Sequence, residues 1–258
     1  MYEIITSGLM TFGAGFATSS ITKAQGPGRA LDDIMALVGF EKLHEVAEKK
    51  REKREQNVKN YKESIAQKIA SIPEEKLQEP PLSLVGPALE ASKYYIEEET
   101  LREMFSNLIA SSMNSSQSNL VHTSYVDIIR QLSPHDAHIL KEFKKMSLSV
   151  NAPHPIMSMV IHSEGEGTKT IFPMIALFEE NIDFFNNAPS INNLERLGII
   201  KTSFTTYLHD DNEYNFIRDH HAVKSVLEKN KHMTLKKGSF VLTNFGENFI
   251  SICVENSF

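Results

Sequence analysis

The sequence predicts a helix-rich α+β protein. An apolar N-terminal segment and a long helix lead into a central helical unit, and a winged-helix-like domain closes the chain. Three observations predict it. Apolar residues recur at helical spacing through residues 72–143, between charged positions and proline stops. A stretch with no apolar residue, EKKREKREQN, interrupts a longer helical pattern. Runs rich in Ile, Thr, Phe and Tyr, set off by glycine, come only after Met146. The domains expected are 1–40, 41–132 and 133–258.

Residues 4–22 carry no charge. As one helix they would be about 28 Å long at ~1.5 Å per residue, near the ~30 Å of a hydrocarbon core. Gly8, Gly13 and Gly15, with many Ser and Thr, dilute the hydrophobicity and lower the helix propensity. A flexible or oligomer-buried segment is expected ahead of a constitutive transmembrane helix, with conditional insertion between the two. Ile4, Ile5, Leu9, Met10, Phe12 and Phe16 are the candidate membrane or oligomer residues here. Ile34 and Leu37 join them from a short apolar helix expected over residues 29–39. Asp32 and Asp33 are the outer face of that helix, so it needs cover from the core, another protomer or a lipid surface. With few basic residues it is a poor binder of anionic lipid. Residues 25–28 form a turn or hinge. The three glycines lack the Lys-Ser/Thr ending of a phosphate loop and the dinucleotide spacing, which excludes nucleotide binding there.

Residues 41–71 read as one long helix. Leu43, Val46 and Ala47 begin its apolar stripe, and Val58, Tyr61, Ile65, Ile69 and Ile72 resume it. The span between has charges of alternating sign, held by i,i+4 pairs in solvent rather than gathered into a nucleic-acid patch. Pro73 fits a first helical turn with Glu74 and Glu75 behind it. Pro80 and Pro81 stop any helix before them. After Pro87, Leu89, Ile96, Leu101, Met104, Phe105, Leu108 and Ile109 follow helical spacing, and residues 111–119 read as a loop. Ser124 with Asp127 predicts a capping box. Ser133-Pro134-His135-Asp136 is a stronger helix start, with Ser133 as cap, Pro134 first in the helix and Asp136 in its first turn.

The wording of this central block also carries a family resemblance. EPPLSLVGPALEASKYYIEEETLREMF, then NLIASSM, then VHTSYVDIIRQLSPHDAHIL resembles the bacterial Abi-alpha (abortive infection alpha) family. The resemblance covers at least residues 26–140. It implies a role in anti-phage defence, and it supplies neither a mechanism nor catalytic residues.

Beyond Met146, Pro153, Pro155, Gly165 and Gly167 mark turns, and residues 158–162 a short strand. A helix is expected around residues 174–180. Ser190 is placed as the cap of a helix INNLERL that Gly198 ends. Residues 199–207 read as a strand, Lys237-Gly238 as a turn and residues 239–242 as a second strand. Residues 243–254 form a final helix with Phe245, Phe249, Ile252 and Cys253 inward. This order is similar to a winged helix-turn-helix, with SINNLERLGII in the place of the recognition helix. Asn192, Asn193 and Arg196 are its candidate partner or nucleic-acid contacts, opposed by Glu195. Fold analogy does not confer DNA binding, and a protein-interaction or structural role is expected first. Residues 207–231 are a long Asp- and His-rich insertion.

Charge and composition narrow the function. The net charge of −6 argues against a general nucleic-acid binder. A single cysteine, Cys253, excludes a disulfide framework and a cysteine-rich metal site, and its apolar setting predicts an inert buried thiol. His135, His138, His209, His220, His221 and His232 lack an HExxH or Cys partner and are expected to be exposed rather than metal-bound. No cofactor is expected. No secretory signal pattern opens the chain, so a cytoplasmic protein is expected, associating with a membrane on activation at most. The combined expectation is an abortive-infection protein without enzymatic activity, homo-oligomeric, with a phage-encoded protein as candidate trigger. Two actions stay open: a membrane effector working through residues 4–39, or a sensor binding a phage protein or DNA through the C-terminal domain.

Overall fold

The computed structural model describes residues 48–146, 150–163, 165, 167–176, 178 and 187–254. The candidate residues Ile4, Ile5, Leu9, Met10, Phe12, Phe16, Ile34 and Leu37 lie outside them. The described chain is a helix-rich mixed α/β protein with one four-stranded antiparallel sheet. It divides into two compact units. One holds residues 48–137 and 248–254, the other His138–Glu247.

The first unit is built on α1 (Glu48–Ala70), α2 (Leu82–Ser92), α3 (Glu99–Ser112) and α4 (Ser124–Arg130). Glu52, Lys53 and Glu55 of the charge-alternating span are exposed. Further along α1, Gln56 donates to Asn60 at 2.7 Å and Lys59 reaches Glu63 at 3.9 Å, both i,i+4 pairs. Tyr61, Ile65 and Ile69 form the buried stripe. The expected run of helix from Leu89 to Ile109 is broken at residues 93–98, where Arg102 pins the turn by donating to the Ile96 carbonyl at 2.7 Å. α3 is the central helix, with almost every residue from Leu101 onward buried.

The expected loop over 111–119 therefore starts later. Ser111 and Ser112 are helical and buried, because their hydroxyls find carbonyl partners inside the protein. Asn107 and Ser111 donate to the carbonyls of Cys253 and Ile252 at 2.9 and 3.4 Å. Those carbonyls belong to a π-helical turn, Ile250–Val254, that follows α9 (Asn244–Phe249). So the final helix is α-helical only in its first part, capped by Thr243, whose Oγ1 accepts from the Gly246 N–H. Phe249 then packs edge-on against Tyr125 of α4, ring centres 5.3 Å apart.

Two caps were expected between these helices and one forms. At α5 (Pro134–Lys145), Ser133 Oγ accepts from the Asp136 N–H and Asp136 Oδ2 accepts from the Ser133 N–H. At α4, Ser124 is the first helical residue and its hydroxyl pairs with His122 Nδ1, while Asp127 pairs with Arg130. Nearby side chains outcompete the backbone there.

The second unit carries the sheet, in the order β2-β1-β4-β3, from β1 (His154–Ser163), β2 (Gly167–Ile175), β3 (Ile200–Ser203) and β4 (Met233–Leu242). Gly165 and Gly167, both at positive φ, turn β1 into β2. This corrects the helix expected at 174–180. Residues through Ile175 are strand, paired with β1, and Met174 reaches φ 52 with its N–H donating to Ser158 Oγ. Residues 177 and 179–186 lie outside the described chain. The turn expected at Lys237-Gly238 is also corrected, since both residues are inside β4, opposite Met157 and Ile156. Gly238 is needed because a Cβ there would lie 2.6 Å from Phe204 and from the Ser203 carbonyl oxygen.

The insertion at 207–231 is not a loop. It holds a 3-10 turn (Asp211–Tyr214), α7 (Asn215–Arg218) and α8 (His221–Lys229). Tyr214, Ile217 and Val223, one from each of these elements, bury against Met157, Met159, Ile175 and Met233 of the sheet. Tyr214 ties the insertion down by donating to the Gly238 carbonyl at 2.8 Å and accepting from the Leu208 N–H. Phe240 of β4 stacks on Phe143 of α5 at 5.4 Å and meets the His154 ring at 5.4 Å.

Candidate functional site

The predicted contact residues lie on α6 (Ala188–Arg196). Its cap is Asn187, not Ser190, which lies buried inside the helix. The Asn187 side chain is itself buried and donates to the Ala176 carbonyl at 3.0 Å. The C-terminal end follows the expected geometry. Gly198 has φ 77, its N–H donates to the Glu195 carbonyl, and the Ile199 N–H donates to the Leu194 carbonyl. These are the two bonds of a Schellman turn, and they deliver the chain directly into β3.

Ile191 and Leu194 are buried, while Asn192 and Arg196 are exposed and Asn193 is half-buried. Arg196 donates to Asn193 Oδ1 through Nη2 at 2.7 Å and through Nε at 3.2 Å, so these two side chains present as one unit. Glu195 does not oppose them. Its carboxylate accepts from the Thr202 N–H at 2.7 Å and the Thr202 hydroxyl at 2.8 Å, stapling helix to strand.

A groove in the first unit had no sequence signal. About 580 Å³ in volume, it runs between α2 and α4. Ser83, Pro87, Glu90, Ala91 and Tyr94 line one wall, and Thr123, Ser124, Val126, Asp127 and Arg130 the other. A smaller recess of about 200 Å³ continues from Ser83 and Thr123 toward Ser112 and Ser118. Tyr94 is 79 % exposed. Leu82, at the start of α2, is exposed as well. Helix periodicity marks the buried faces of α2 and α4; the pairing of their outer faces is a tertiary fact.

One polar constellation between α1 and α3 joins Ser64, Lys68, Glu103 and Ser106. Lys68 Nζ donates to Ser64 Oγ and to Glu103 Oε2, each at 2.8 Å. Ser64 Oγ lies 3.0 Å from Glu103 Oε1 and 3.1 Å from Ser106 Oγ. A serine beside a lysine can be a nucleophile. Here Glu103 claims the ammonium, and Ser64 sits deep inside a helix whose own bonding occupies the nearby amides. The arrangement is an interhelix clamp.

Cys253 is fully buried, and burial pushes its thiol well up. His209, His221 and His232 are exposed, and His220 caps α8 through Nδ1. Among the described residues no group of three or more His, Cys, Asp or Glu is placed to hold a metal. Among them, too, no helix is long and apolar enough to cross a membrane.

The family described as Abortive infection alpha matches residues 53–253. No curated protein and no solved structure matches.

Proposed function

We propose, from the premise that the chain belongs to the abortive infection alpha family, that it is a non-enzymatic effector of anti-phage defence acting on a membrane. Family membership carries the abortive-infection role. The membrane action rests on one observation: residues 4–22 are uncharged in a chain that is 23 % charged. The folded body is then the part that receives the signal, and the N-terminal segment, with Ile34 and Leu37 behind it, the part that acts. The resting protein is cytoplasmic and self-associated, which covers the apolar segment until infection.

Deleting residues 2–24 tests this. The deletion is expected to lose protection against phage while keeping a folded body, and the full-length protein alone should move to the membrane fraction on infection. Full protection by the deletion would overturn the membrane action.

A second reading, a sensor or regulator working through the C-terminal unit, is favoured by a specific observation. α6 leads through its Schellman turn into β3, and β3 pairs antiparallel with β4. This supports a winged-helix-like arrangement. With Glu195 held by Thr202, Asn192 and the Arg196–Asn193 pair remain on the outer surface for a phage protein or DNA. Replacing Asn192, Asn193 and Arg196 together by alanine should remove protection. An unaltered phenotype would count against it.

A further inference from the structure

We infer that the groove between α2 and α4 is the resting seat of this chain's own residues 29–39. This deepens the membrane reading and rests on it for its consequence, since release of these residues frees the segment that acts. Residues 4–22 are left to the self-association described above. The groove is charge-balanced. Glu90 and Asp127, on opposite walls, are each paired within their own helix, with Lys93 and Arg130. It therefore selects neither a basic nor an acidic ligand, and the rest of its lining is uncharged. Pro87, Ala91, Val126 and Tyr94 supply its apolar part, and Tyr94 is 79 % exposed. The adjoining recess adds Pro81 and Val121. Covering such surface favours an apolar occupant, by about 25 cal/mol per Å² of apolar area.

Residues 29–39 supply the matching face. Leu31, Ile34, Met35 and Val38 stand at i, i+3, i+4 and i+7, the anchor spacing of a helix laid in a groove. None of the four is charged, and at helical spacing Asp32 and Asp33 fall on the opposite side. Gly28 and Gly39 bound the run and no glycine interrupts it, unlike residues 4–22, which hold Gly8, Gly13 and Gly15. The length agrees, because these eleven residues and the eleven of α2 each make about 16 Å of helix at ~1.5 Å per residue. The reach agrees as well. Tyr61 of α1 bonds to Ser92, the last residue of α2, which ties α1 to the Tyr94 end of the groove. From Tyr61 back to Glu48 is about 20 Å of helix at ~1.5 Å per residue. Residues 40–47 can extend to about 27 Å at ~3.4 Å each, enough to bring Gly39 back to the groove. A tether this short sets an effective concentration of about a millimolar, which puts the chain's own segment ahead of a free partner.

The test labels thiols in the full chain with a maleimide. Tyr94→Cys puts a reporter in the groove wall, and Glu228→Cys puts one on the exposed surface of the second unit. Ile34→Asp with Met35→Asp should speed labelling at position 94 about tenfold, the ratio for a segment seated roughly nine-tenths of the time. Labelling at position 228 should stay the same. Equal rates at position 94 with and without the aspartates would overturn the docking. Cys253, buried in the first unit, stays unlabelled in a folded chain; if the aspartates expose it, Ile34→Ser with Met35→Ser takes their place. A short bismaleimide then joins Tyr94→Cys to Leu31→Cys or to Val38→Cys, at the two ends of the segment. A cross-link within one chain is expected from one end or the other. A dimer-sized product would assign the groove to a second copy, and no product from either end would leave it without this occupant; each overturns the inference. Neither readout involves phage or a membrane. Docking can therefore fail while the 2–24 deletion still loses protection, and it can hold while that deletion keeps it.

Discussion

The clamp between α1 and α3 makes the sharpest stability prediction. Glu103→Gln keeps shape and volume and removes one charge. At 2.8 Å from Lys68 Nζ, that charge is worth about 6 kcal/mol of gross attraction at an effective dielectric of ~20. Most of this is offset by the cost of taking the Lys68 ammonium, 11 % exposed, out of water. The Glu103 side chain is 35 % exposed, so solvent screens the pair further. The net loss expected is about 1–2 kcal/mol, or roughly 3–6 °C in melting temperature for a protein of this size. The assay is urea and thermal denaturation at low and high salt, with Lys68→Met and the double variant completing a cycle. Lys68→Met leaves the carboxylate with the Ser64 hydroxyl in place of its ion pair, and the double variant should recover part of the summed losses. A melting temperature for Glu103→Gln within about 1 °C of the parent, or losses that simply add, would refute the clamp.

Gly246→Ala should destabilise by about 2 kcal/mol or more, since a Cβ there would lie 2.1 Å from the Ile199 carbonyl oxygen and backbone cannot rotate away; an unchanged melt would refute that packing. Asn107→Leu removes the donor to the buried Cys253 carbonyl and should cost about 1–3 kcal/mol, with faster proteolysis at the C-terminal turn as its signature. Tyr61 and Tyr125 are held above the ordinary phenol range chiefly by burial. Their folded values exceed the unfolded value near ~10, so their contribution is complete below about pH 10 and is lost as pH rises past it. Absorbance titration should show two phenols that ionise only as the protein unfolds. His154 runs the opposite way: burial lowers it, so its contribution holds above about pH 6.5 and falls on acidification. Replacing it by Phe should flatten the acid side of the stability profile.

Elements whose signals are local were legible. Ser133-Pro134-His135-Asp136 named a cap that forms by reciprocal bonds within four residues, and Gly198 named a turn that needs positive φ. The stripe of Tyr61, Ile65 and Ile69 named a buried helix face. Errors came where a partner far along the chain decides. Residues 171–175 are apolar enough for a helix or a strand, and pairing with β1 chooses the strand. Gly238 looked like a turn because glycine is usually read as backbone freedom; here it makes room for Phe204. In the insertion at 207–231, aspartates and histidines mask Tyr214, Ile217 and Val223, which only the packing against the sheet marks as core. Asn192, Asn193 and Arg196 could be named from α6 alone, but the placement of Glu195 needed Thr202.

By itself the sequence determined the family, the helical character, the solvated span of α1, the Ser133 cap and the Gly198 turn, because those depend on neighbours within a turn or two. Only the tertiary structure decided which helices face one another. It docked the C-terminal turn on α3 through Asn107, turned Ser64, Lys68, Glu103 and Ser106 into one clamp, and opened the groove beside Tyr94. Each of these brings together stretches of chain far apart in sequence, a separation at which periodicity along the chain holds no record of contact in space.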